Sequence, residues 1–80
     1  MGNKLAYEVF EEMKEDIKND NFGARQKYLD TWDYEDEFSH NDIVDARIKF
    51  VELANEYFET TNMLYEAREV CDNVYIFDIE

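Results

Sequence analysis

Few side chains in this sequence carry reactive chemistry, and their types limit what the chain can do. His40 and Cys71 are its single histidine and single cysteine. They are the minimum for a thiolate–imidazole pair, but a reactive thiol needs a depressed pKa, and neighbouring carboxylates push a thiol the other way. Cys71 is therefore expected to be a half-buried structural residue. One histidine and one cysteine also fall short of the four-ligand set of a structural zinc site. Asp33, Glu35 and Glu37 have the alternate spacing with which a calcium loop begins. Such a loop needs glycine at its sixth position and glutamate at its twelfth, where this chain has Phe38 and Val44. Glycines stand only at positions 2 and 23, which leaves no glycine-rich phosphate loop. Carboxylate pairs are so abundant that none is distinguished. The expectation is no enzyme, no catalytic residue, no cofactor and no metal.

What the chain has in quantity is negative charge. Its 80 residues include 21 acids against 8 bases, a formal charge of −13. That field opposes direct binding to nucleic acid or to an anionic membrane surface. A single cysteine makes no intramolecular disulfide. No apolar run approaches the ~20 residues of a membrane span. Met1-Gly2 is followed by Ala6 where a myristoylation signal has Ser or Thr. One cytoplasmic domain covering residues 1–80 is expected. Such charge is also a signature of disorder, but 16% of the residues are aromatic and the apolar positions are periodic, so the chain is read as folded.

The acids are unevenly spread. Between Tyr28 and Ala46 lie seven of them and no Lys or Arg, interleaved with Trp32, Tyr34 and Phe38. A solvated loop and helix start explains Asp42 and Asp45, because first turns favour acids, but explains the 33–37 run poorly. The functional reading is a surface for a basic partner, with aromatics as anchors and carboxylates for steering and pairing. Its candidate residues are Asp30, Trp32, Asp33, Tyr34, Glu35, Asp36 and Glu37, extended by Glu8, Glu11, Glu12 and Glu15 from the first helix. Carboxylates at i, i+3 and i+4 of a helix lie about 5–6 Å apart. That is broadly the scale on which phosphates repeat along a strand, so an acidic helix can present charge as a nucleic-acid backbone does. Set among acids, one or both of Trp32 and Tyr34 are expected to be partly exposed.

In size, charge and the Trp32-Asp33-Tyr34-Glu35-Asp36-Glu37-Phe38 segment, the chain resembles the small acidic inhibitors of phages and mobile elements. These include anti-CRISPR, anti-restriction and other DNA-mimic proteins. The resemblance is one of composition, with no aligned motif and no family residue to carry over. It implies a protein that occupies the DNA- or RNA-binding channel of a host nuclease or other defence enzyme in the bacterial cytoplasm. The alternative is a small helical interaction module or homodimer that docks through apolar area, with the apolar Val74–Ile79 ending as its mark.

The elements that must position these residues follow from periodicity. Leu5, Val9, Met13 and Ile17 recur every four positions beside Ala6 and Phe10, which predicts a helix over 4–20 with Asn3 as its cap. Residues 19–23 should stop it, with Gly23 in a left-handed turn. Tyr28, Leu29 and Trp32 are spaced for a short helix from Ala24 to Trp32. Ser39 or Asn41 caps the next, whose face runs from Ile43 and Val44 through Arg47, Phe50, Val51, Ala54, Tyr57 and Phe58. Thr60-Thr61-Asn62 should break it, so that Met63, Leu64, Ala67, Val70 and Cys71 form a further helical face. A single helix over 42–71 is the alternative. Residues 74–79 are strand formers after an Asp72-Asn73 turn, with the 32–38 segment, a dimer partner or the helices to lie against. The expected fold is mainly α, a small bundle of three or four helices with or without a short C-terminal strand.

Overall fold

The four-residue apolar rhythm at the start of the chain produces α1 (Gly2–Lys18), in a computed structural model that describes residues 2–19 and 25–79. Leu5, Ala6, Val9 and Met13 are buried along one side of it. The helix begins at Gly2, so Asn3 lies within its first turn rather than at the cap. The expected stop at Gly23 lies outside the described residues.

The next segment departs from expectation. In place of a helix from Ala24 to Trp32 stand a strand, β1 (Arg25–Tyr28), and a single helical turn, α2 (Thr31–Tyr34). Tyr28 and Leu29 are both buried although they are neighbours in a strand-like segment. Leu29 achieves this at φ 52, a left-handed conformation that swings the chain out of the strand. The helical spacing of Tyr28, Leu29 and Trp32 was coincidental, because Trp32 does not join the core.

The longest element is α3 (His40–Thr60), capped by Ser39, whose hydroxyl accepts from the Asp42 N–H at 3.2 Å. Ile43, Ala46, Arg47, Phe50, Ala54 and Phe58 form its buried side. It ends where the threonines predicted. Thr60 and Thr61 both donate hydroxyl hydrogen bonds to the Tyr57 carbonyl, at 3.2 and 2.6 Å, and Asn62 turns the chain at φ 58.

Beyond that break the expected fourth helix is a hairpin, β2 (Tyr65–Val70) and β3 (Asn73–Asp78), which also rules out one helix over 42–71. Of Met63, Leu64, Ala67, Val70 and Cys71, only Ala67 is buried, so their helical spacing marks no buried face. The two-residue turn is Cys71-Asp72, with Cys71 at φ 53 and its side chain exposed, not half-buried. Cys71 takes the tip of the hairpin, where its side chain meets solvent although the backbone of the turn is tied to Thr31 and Arg47.

The sheet runs β1-β3-β2, with both pairings antiparallel. The apolar C-terminal segment is therefore the central strand, flanked by residues 25–28 and 65–70 instead of 32–38 or a second copy. A strand this apolar is stabilised by hydrogen-bonded neighbours on both sides, and that demand overrides weak local helix preference on each. Among the described residues the fold is accordingly mixed α/β, three helices and a three-stranded sheet, and not the mainly α bundle the periodicity suggested.

Helices and sheet share one core. Val74 and Ile76 point from β3 into a cluster with Leu5, Met13, Phe50 and Phe58. Aromatic contacts stitch the layers, with Phe10 and Tyr57 edge-to-face at 5.7 Å, Tyr28 against Phe50 at 5.5 Å and Phe58 against Tyr65 at 5.4 Å. Asn55 of α3 bonds both backbone groups of Ala67, donating to its carbonyl at 3.1 Å and accepting from its N–H at 2.8 Å. Among the described residues no helix is long and apolar enough to cross a membrane.

Candidate partner-binding site

The acidic–aromatic segment hangs from one buried cation. Arg47, on the inward side of α3, is only 4% exposed. A buried guanidinium is costly unless its donors are used, and here three elements supply acceptors. Its Nε donates to Glu69 Oε1 at 2.9 Å, and its Nη1 donates to the Asp72 carbonyl at 3.1 Å and to the Thr31 hydroxyl. The Thr31 hydroxyl and N–H both donate in turn to the Asp72 carbonyl, at 3.1 and 3.3 Å. The start of α2 is thereby tied to the hairpin turn and to α3 at a single point.

Asp30 secures the same turn from outside. One carboxylate oxygen accepts from the Trp32 N–H at 3.1 Å as the α2 cap, and the other pairs with Lys27 Nζ at 3.0 Å. In the amide orientation its surroundings require, Asn73 also donates to this carboxylate, at 3.3 Å. The hydrogen bond to Lys27 comes first, then that from the Trp32 backbone, in holding the Asp30 carboxyl below its usual range. The same bond raises the Lys27 ammonium.

Trp32 sits on this fixed turn with its side chain 80% exposed. Tyr34, two residues on, is half-buried against Phe38, with ring centroids 6.2 Å apart. Of the two aromatics expected among the acids, Trp32 is thus presented to solvent and Tyr34 packs inward. Asp33, Glu35, Asp36 and Glu37 are exposed.

The α1 acids divide. Burial raises the Tyr34 hydroxyl, and Glu12, Asp33, Glu37 and Glu8 raise it further, in that order. Two α1 carboxylates and two from the 33–37 run thus act on one hydroxyl. Glu12 and Asp33 also line, with Asp16, Lys27 and Asp30, a shallow cleft of about 150 Å³ floored by Tyr28 and Tyr34. Glu11 and Glu15 turn elsewhere, beside Lys14, Lys18, Tyr57 and Met63, with Glu11 paired to Lys14 at 2.8 Å. The acids brought together at this cleft are Glu12, Asp16, Asp30 and Asp33, with Glu35, Asp36 and Glu37 exposed further along the same run and Glu8 exposed on α1.

Sequence reasoning did not assign a role to the residues beneath. Arg47 was visible as the one charge on the apolar face of α3, and that anomaly was its signal. Thr31 and Asp72 had no local mark, because their partners come from 41 residues away in the chain. Asp16, which accepts from the Tyr28 hydroxyl at 2.6 Å, was hidden among many acids. Among the described residues no group of three His, Cys, Asp or Glu is arranged to hold a metal ion. Comparison with protein-family models, curated proteins and solved structures gives no match.

Proposed function

We propose that this chain is a non-enzymatic inhibitor acting in the cytoplasm of a bacterial host. It binds the basic, nucleic-acid-binding surface of another protein, such as a CRISPR or restriction nuclease, with carboxylates standing where phosphates would. The observation that supports this reading is Trp32, 80% exposed on a turn fixed by Arg47 and Asp30, beside Asp33 and the exposed acids that follow it. A large aromatic on a fixed backbone contributes anchor area while the turn beneath it has little entropy left to lose, and the exposed carboxylates that follow steer a cationic surface. A solvated loop would not need a buried guanidinium beneath it.

The test is capture of proteins from bacterial lysate at low and high salt, with elution by duplex DNA. Beside the intact chain run a variant with Asp33, Glu35, Asp36 and Glu37 changed to amides, and Trp32→Ala. The expected result is a salt-sensitive nucleic-acid-binding protein that DNA displaces and both variants lose. If all three chains catch the same protein, or the catch is indifferent to DNA, the mimic reading fails.

A further inference from the structure

The sheet has a second face, and its chemistry is the reverse of the rest of the molecule. Val74 and Ile76 of β3 point to the helices, so Tyr75 and Phe77 point away, with their rings 5.9 Å apart. Register places Arg25 opposite Phe77 and Lys27 opposite Tyr75 on β1, and Glu66 opposite Phe77 and Arg68 opposite Tyr75 on β2. Arg25 lies over the Tyr75 ring at 5.2 Å. Three of the eight basic residues of a chain carrying 21 acids thus gather on one small face, where Glu66 pairs with Arg68 and Asp30 reaches Lys27 from the rim. At the end of this sheet Leu64 and Ile79, joined by a 3.0 Å backbone hydrogen bond, are 55% and 54% exposed.

A face of aromatic rings, aliphatic ends and exposed cations fits a partner that is acidic and aromatic together. This chain displays one such segment itself, the Trp32 turn with Asp33, Glu35, Asp36 and Glu37. We infer that the open sheet face of one copy docks the Trp32 segment of a second copy, head to tail. Two sheets packed face to face about a two-fold axis are disfavoured, because Arg25, Lys27 and Arg68 would oppose their own copies. Arg68 is held by an exposed contact with Glu66, which contributes little and exchanges readily for an incoming carboxylate, and Arg25 rests on the Tyr75 ring, whereas Lys27 is committed to Asp30. The overall like charge of the two copies acts weakly at physiological salt, where screening falls off over about 8 Å and contact charges dominate. A three-stranded face is small beside a permanent interface, so the association is weak and reversible. Its two surfaces differ, so a pair keeps one of each free, the Trp32 segment of one copy and the sheet face of the other, and the contact propagates into short chains or a ring. The inference needs no outside partner and stands apart from the inhibitor reading.

The experiment is sedimentation velocity on purified chain over a concentration series at 0.1 M salt. It uses Trp32→Ala, which lacks the anchor, and a face variant with Arg25→Glu and Arg68→Glu. Circular dichroism checks the fold, and Arg25→Gln with Arg68→Gln replaces the reversed pair if that fails to fold. The intact chain is expected to grow beyond a dimer with concentration. Each variant alone should need at least tenfold more protein to associate. Mixed one to one, the two variants should form a pair that grows no further, because one supplies the anchor and the other the face. A chain that stays monomeric, a dimer that the mixture does not restore, or variants that associate like the parent would overturn it. So would a monomer whose face binds a single-stranded oligonucleotide in a manner abolished by the arginine changes, which would assign the face to nucleic acid.

Discussion

The acidic surface and the open sheet face differ in where they keep their cations. Under the acidic surface the cation is buried. Arg47 is used up by Thr31, Glu69 and Asp72 and is part of the architecture. On the sheet face the cations are outermost: Arg25 lies over the Tyr75 ring and Arg68 pairs with Glu66 in solvent. The contrast teaches that in so acidic a chain a base does one of two jobs. Buried, it fixes acidic and polar groups in place; exposed, it makes a local exception to the field.

The largest test of that contrast is Arg47→Ala. It removes a side chain only 4% exposed together with its hydrogen bonds to Thr31, Glu69 and Asp72, and should cost about 3 kcal/mol in urea unfolding. Faster amide exchange at Thr31 and Trp32 than elsewhere would show that the turn loosens first. A loss no greater than that of a surface pair would erase the distinction between the two cations.

A middle-sized effect isolates the ground beneath the acids. Tyr28 is buried, and burial first, then its bond to Asp16, raises its hydroxyl far above the ordinary value. Because the folded value lies above the unfolded one, folding favours the protonated ring. That contribution is complete below about pH 10 and is lost as pH rises beyond it. Tyr28→Phe should cost about 1 kcal/mol at neutral pH through the lost hydrogen bond. It should also flatten the alkaline loss of stability, followed by circular dichroism from pH 8 to 12. An unchanged alkaline limb would place the sensitivity elsewhere.

The smallest expected change is Arg68→Ala, within about 0.5 kcal/mol by thermal or urea unfolding, since its pair with Glu66 is solvated. A cost near that of Arg47 would mean the open face is structural and not a surface for recognition.

How much of this was legible depended on the range of the forces involved. α1 and α3 were readable because a helix declares its buried side within its own few turns, and the Ser39 cap and the Thr60–Asn62 break were local as well. β1 was not, because it is a strand only by virtue of β3, far along the chain; β2 lies next to β3, but with Ala67 its single buried residue it shows no apolar alternation to declare a strand. Val74–Ile79 was recognised as strand-forming, yet its partners were invisible. At the site, exposure of Trp32 followed from its acidic neighbours. The inward turn of Tyr34 and the separation of Glu11 and Glu15 from Glu8 and Glu12 depended on how α1 rolls against the remainder. Composition gave a uniform negative molecule, whereas register on the sheet sorted three bases to one side.

The bond that Asn55 makes to both backbone groups of Ala67 has a consequence for the chain in a crowded cell. Val74-Tyr75-Ile76-Phe77 is the kind of sequence that seeds cross-β aggregates when an edge is left open. Here it is the middle strand. The outer edge of β2 is occupied at its centre by an asparagine side chain, and β1 is four residues long with Arg25 and Lys27 on it, features that discourage strand addition. The chain keeps its most amyloid-prone segment closed off by one amide and two positive charges.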